Sequence, residues 1–94
     1  MSSSFARALS PAIREIRIHC CQTGAASAGT RQFITSQYPV LKQHNPDLPI
    51  LIREAKGTPA RVFARFERGV EKQIDVENLP ASDVSSKIAQ LLSV

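Results

Sequence analysis

Apolar and polar residues alternate over residues 13–21 (IREIRIHCC). Ile16, Ile18 and Cys20 fall on one side, and Arg17, His19 and Cys21 on the other. Period two over this length predicts a strand with one buried face. Residues 24–29 (GAASAG) form a loop of small side chains. The period then changes: Ile34, Tyr38 and Leu41 recur at i, i+4 and i+7 with Phe33 beside them, which predicts a helix from about Ser27 to His44. Pro39 removes a donor inside it and should kink it. Asn45-Pro46-Asp47-Leu48-Pro49 is a strong turn signal, and residues 50–55 (ILIREA) open as the continuous apolar run of an interior strand. Lys56-Gly57-Thr58-Pro59 turns the chain. Residues 60–66 alternate again, with Val62, Ala64 and Phe66 against Arg61, Phe63 and Arg65. Glu67-Arg68-Gly69-Val70 predicts a hairpin turn with Gly69 free to take positive φ, and residues 72–77 supply the partner strand through Ile74 and Val76. A last helix starts at about Ser82 as N-cap, with Asp83 in its first turn and Val84, Ile88, Leu91 and Leu92 as its buried stripe.

The order is β-α-β-β-β-α. The first β-α-β should be a right-handed crossover between parallel strands, followed by an antiparallel hairpin. A mixed four-stranded sheet with two helices in this order is an α/β fold, the minimal thioredoxin-like core. The domain is expected over residues 13–94, with residues 1–12 as a flexible N-terminal segment. Full thioredoxin-like folds cover both faces of the sheet, using a helix between strands two and three. Here residues 56–59 leave no room for one, so both helices should share a face. Alternation gives that face Ile16, Ile18, Val62, Ala64, Phe66, Ile74 and Val76. The opposite face receives Arg17, His19, Arg53, Arg61, Phe63 and Arg65, the candidate partner interface.

Ninety-four residues make one domain of marginal stability, and a hydrophobic share of 43% excludes wholesale disorder. Without Trp and with few aromatics, the core must be mainly aliphatic. The net charge of +4 is compatible with an acidic partner or a nucleic acid. The cations are scattered, however, and Glu67 interrupts the closest group, Arg61, Arg65 and Arg68. No apolar run approaches the roughly 20 residues of a membrane span, so no direct membrane insertion is expected. The first 14 residues are Ser-rich, carry Arg7 and Arg14 and contain no acid. Mitochondrial targeting segments share that composition, as do disordered termini.

Little of the sequence carries chemistry. A thioredoxin-like enzyme needs a thiolate at a helix N-terminus and a resolving thiol three residues on. Thr23 and Gly24 stand where a thiol would have to follow Cys20 and Cys21, and adjacent strand residues point apart. Cys20 reads as a core residue and Cys21 as incidental. The adjacent pair also fits a reducing compartment better than a disulfide framework. Residues 24–31 half resemble a phosphate loop but lack its Gly-Lys-Ser/Thr ending. His19, Cys20 and Cys21 in succession cannot converge on a tetrahedral metal. The expectation is therefore no catalytic residue, no cofactor and no metal. Pro59 follows Thr58 directly before strand three, where thioredoxin-like proteins keep a cis proline, so Pro59 is a candidate cis-proline.

Three stretches carry a resemblance to a known family: residues 13–19 (IREIRIH), residues 45–54 (NPDLPILIRE) and residues 64–69 (ARFERG). Together they resemble a small accessory subunit, of the alpha subcomplex, of mitochondrial NADH:ubiquinone oxidoreductase, respiratory complex I. The resemblance covers nearly the whole chain from Ile13. It implies a thioredoxin-like, non-catalytic protein that supports assembly or stability of the matrix arm. Such a protein would sit peripherally on the matrix side of the mitochondrial inner membrane, beside the large iron–sulfur subunit. Some relatives carry one cysteine where Cys21 stands and another at the end of strand two. Ala55 occupies that second position here, so the bridge has no partner. The rivals are a mitochondrial ribosomal or other RNA-binding protein and a thiol oxidoreductase. Phe63 between Arg61 and Arg65 is the one candidate base-stacking residue, and no nucleic acid is expected.

Overall fold

A computed structural model of the chain describes residues 5–93. Strand β1 (Ile13–Cys20) leads through a short 3-10 turn (Ala25–Ser27) into helix α1 (Ala28–His44). Strands β2 (Ile50–Glu54), β3 (Arg61–Phe66) and β4 (Glu71–Asp75) follow, and helix α2 (Ala81–Leu91) closes the chain. The sheet order is β2-β1-β3-β4. Strand β1 pairs parallel with β2 and antiparallel with β3, and β3–β4 is an antiparallel hairpin. This is the α/β, thioredoxin-like arrangement of a mixed sheet and two helices that the alternation predicts.

The two helices pack against each other and share one face of the sheet. Ile16, Ile18, Val62, Ala64, Phe66 and Val76 are buried beneath them, and Ile74 is half-buried at the edge. In α1 the buried stripe centres on Thr30, Phe33 and Leu41, with Ile34 and Tyr38 flanking it. The helix runs unbroken through Pro39, which lies on its exposed side. In α2, Val84, Ile88, Leu91 and Leu92 are all buried. The helix begins one residue ahead of the expected cap: Pro80 occupies the N-cap without a side-chain bond, and Ser82 lies inside the first turn. At Gly29 the N-terminus of α1 meets the strand–helix connection. A Cβ there would lie 1.9 Å from the carbonyl oxygen of Leu79, so only glycine fits.

Two expectations need correction. Residues 5–12 are not a free segment. Phe5 is 3% exposed and meets Phe33 edge-on, with ring centroids 5.3 Å apart. Asn45 fixes this segment to the end of α1. Its Oδ1 accepts from the Leu9 N–H at 2.8 Å, and its Nδ2 donates to the carbonyls of Arg7 and Leu41, each at 3.0 Å. Residues 1–4 lie outside the described residues. A 94-residue domain without Trp gains from any aromatic it can bury, and Phe5 is one of only four Phe. The second correction concerns Pro59: the Thr58–Pro59 bond is trans, like every peptide bond among the described residues. Gly57, at φ +79°, performs the reversal after β2, and the Thr58 N–H closes the turn on the Ala55 carbonyl at 3.2 Å. A trans proline then enters β3 without hindrance. The β3–β4 turn follows expectation, with Arg68 and Gly69 both at positive φ and the Phe66 N–H bonded to the Val70 carbonyl.

The packing of Phe5 is directly testable. Phe5→Ala should lower unfolding stability by about 3 kcal/mol in chemical denaturation. An unchanged midpoint would mean that residues 5–12 stand off the domain.

Candidate interaction face

The uncovered face of the sheet is built by cross-strand register. Leu51, Arg17, Phe63 and Gln73 form one row across the four strands, and Arg53, His19, Arg61 and Asp75 form the next. Glu15, Arg65 and Glu71 form a third across β1, β3 and β4. All six residues expected on this face are there: Arg17, His19, Arg53, Arg61, Phe63 and Arg65. Phe63 is the hub. The Arg17 guanidinium carbon lies 5.0 Å from its ring centroid, and the His19 ring centroid lies 4.9 Å away. Leu51, 53% exposed, sits beside Arg17 at the β2 edge.

Acids share this face with the arginines. Arg17 pairs with Glu15 at 3.3 Å and with Glu71, and Arg65 reaches Glu15 at 3.4 Å. Register is the signal that finds them, because Glu15 faces Arg65 and Arg65 faces Glu71 across the ladders. Arg53 and Arg61 have no ion pair among the described residues. The His19 imidazole is pushed below its ordinary range by burial, then by the nearby Arg17 and Arg53 charges.

Beyond the end of β1 the two thiols part company. Cys20 is fully buried in the core. Burial pushes its thiol up, and the Glu54 carboxylate adds to the effect. Cys21 is not incidental. Its sulfur accepts the backbone N–H of Gly24 at 3.2 Å and of Gly57 at 3.3 Å, which ties the end of β1 to the β2–β3 turn. Backbone N–H donors, Thr23 first and then Gly57 and Gly24, bring its thiol down to about 7.

The GAASAG loop is closed on itself. Ser27 N–H bonds the Gly24 carbonyl, and the Cys21 N–H bonds Ser27 Oγ at 2.9 Å. The Arg31 guanidinium donates to the Cys21 and Gly24 carbonyls at 2.9 and 2.8 Å. An open cleft of about 330 Å³ lies at the other end of the sheet, between Leu9, Ile13, Arg14 and the Asn45–Leu48 turn, far from either thiol.

Residues 30–81, more than half of the chain, match the family model of the mitochondrial ribosomal protein L51 / S25 / CI-B8 domain. The chain is 42% identical to the NADH-ubiquinone oxidoreductase 10.5 kDa subunit of Neurospora crassa over 92 residues, covering 98% of this chain and 96% of that one. It belongs to the family of small alpha-subcomplex accessory subunits of respiratory complex I. NADH dehydrogenase [ubiquinone] 1 alpha subcomplex subunit 2 of Mus musculus is 42% identical over 81 residues, covering 86% of this chain and 82% of the relative. Its Arabidopsis thaliana counterpart is 38% identical over 84 residues, covering 89% and 87%. Complex I is an assembly of mitochondrial respiratory electron transport, associated with the inner membrane.

The Cys21 arrangement predicts a reactivity. Iodoacetamide labelling of the folded chain should give a fast site at Cys21 whose rate rises with pH through a midpoint near 7, while buried Cys20 reacts slowly. Cys21→Ser should remove the fast phase. A midpoint in the ordinary thiol range, about 8.5, would show that the backbone donors do not hold the thiolate.

Proposed function

We propose that this accessory subunit is non-catalytic and structural. It supports assembly or stability of the matrix arm of complex I. It lies peripherally, on the matrix side of the inner membrane, with the large iron–sulfur subunit as its neighbour. The observation that carries this reading is the uncovered sheet face. A central aromatic with arginines packed on and around it is the composition of an interface centre rather than of a plain solvated surface. Arg17, His19, Arg53, Arg61, Phe63 and Arg65 are the docking residues in this account.

The two rivals find less support. A thiol oxidoreductase needs a resolving sulfur beside the attacking one, and Cys20 is turned into the core away from Cys21. A base-stacking surface needs open aromatic faces, and Arg17 and His19 already pack on Phe63.

Deleting the chain should reduce the amount of assembled complex I in a mild-detergent native gel, and restoring it should recover the complex. Restoration with Cys21→Ser should give near-normal NADH:ubiquinone activity per assembled complex, and the purified chain should not reduce insulin disulfides. Comigration with mitochondrial ribosomes alone would overturn the structural-subunit reading. Full assembly with activity lost through Cys21→Ser would overturn the non-catalytic one.

A further inference from the structure

The open face is electrostatically divided. On one side Glu15 and Glu71 neutralise Arg17 and Arg65. On the other, Arg53 on β2 and Arg61 on β3 flank His19 on β1, and neither arginine has an ion pair among the described residues. Asp75 stands opposite Arg61 in register, yet its carboxylate accepts the Glu77 N–H at 2.9 Å and forms no ion pair with Arg61. Two neighbouring strand spacings set the arginines roughly 10 Å apart, with an imidazole between them. We infer that this row, Arg53–His19–Arg61, receives a carboxylate-bearing segment of a neighbouring complex I subunit. The inference rests on the docking reading above and names its partner's chemistry.

Charge complementarity makes the case. Two unpaired guanidiniums flanking a ring that can donate a hydrogen bond suit carboxylates, because arginine binds them through paired donors. Leu51, exposed beside this row, supplies an apolar contact for the same segment. A phosphate backbone fits less well. Its charges repeat along a strand, whereas Arg17 and Arg65 are already paired with Glu15 and Glu71, and the Phe63 ring already carries Arg17 and His19. Arg65, held by Glu15, is not part of the acceptor, although sequence alone groups it with Arg61.

The test uses full-length variants in cells lacking the parent chain, scored by the fraction that comigrates with complex I at low and raised salt. Arg53→Gln with Arg61→Gln should lower the retained fraction about tenfold at low salt, and raised salt should narrow the difference from the parent. Arg53→Lys with Arg61→Lys should stay within about threefold of the parent, and Lys87→Gln, exposed on α2 away from this face, within about twofold. The Gln pair should melt at the parent's temperature, since exposed substitutions barely move stability. Parent-like retention of the Gln pair, or an equal loss through Lys87→Gln, would overturn the row while the parent's own comigration leaves the docking reading standing. A parent chain absent from complex I would remove both. In a parallel titration, tight binding of a labelled single-stranded RNA of about 20 nucleotides at physiological salt, lost in the Gln pair, would overturn the acidic segment in favour of nucleic acid.

Discussion

A four-stranded sheet with two helices can be sealed on one face, and which face is sealed is decided at β1. That strand lies between β2 and β3, so its alternation propagates through both ladders. Ile16, Ile18 and Cys20 point beneath the helices at 0 to 1% exposure, while Glu15, Arg17 and His19 point away from them. A slip of one residue would put Arg17 beneath the helices and Ile18 in water, so the register is strongly specified. The six-residue link from the end of β2 to the start of β3 is too short for a covering helix on the other side, so the second face has no helix over it among the described residues.

The same division explains why two cysteines side by side occupy unlike environments. The pleat sends Cys20 into the core, where a charged sulfur is disfavoured. It leaves Cys21 past the last ladder position, where the chain turns and backbone N–H groups gather on its sulfur. Neighbours in sequence thus sit in environments that drive their thiols in opposite directions. For Cys21 the sulfur acts as a joint between two loops, a role for a lone thiolate-prone residue that requires no partner thiol.

The strands and helices and the assignment of side chains to faces were legible because period two and period 3.6 are local patterns. Three features were not, and each depends on residues distant in sequence. The burial of Phe5 requires a gap beside Phe33, 28 positions on, and a clamp from Asn45, which sequence marks only as a turn residue. The trans bond at Pro59 follows from Gly57 taking the reversal, a choice set by tertiary context rather than by the dipeptide. The neutralisation of Arg17 and Arg65 needs the register that aligns Glu15 and Glu71 with them, 56 positions apart. Sequence therefore showed which arginines share a face. Register showed which of them remain unpaired.

The central claim is that the open sheet face is covered when the chain enters complex I. Leu51, 53% exposed on that face, is the probe, because a small thiol reagent can report its access directly. Maleimide labelling of Leu51→Cys, read peptide by peptide by mass spectrometry, compares the free folded chain with the assembled complex. The account predicts rapid labelling of the free chain and at least about tenfold slower labelling in the complex, as expected for a water-excluding interface. Equal rates in the two states would contradict it.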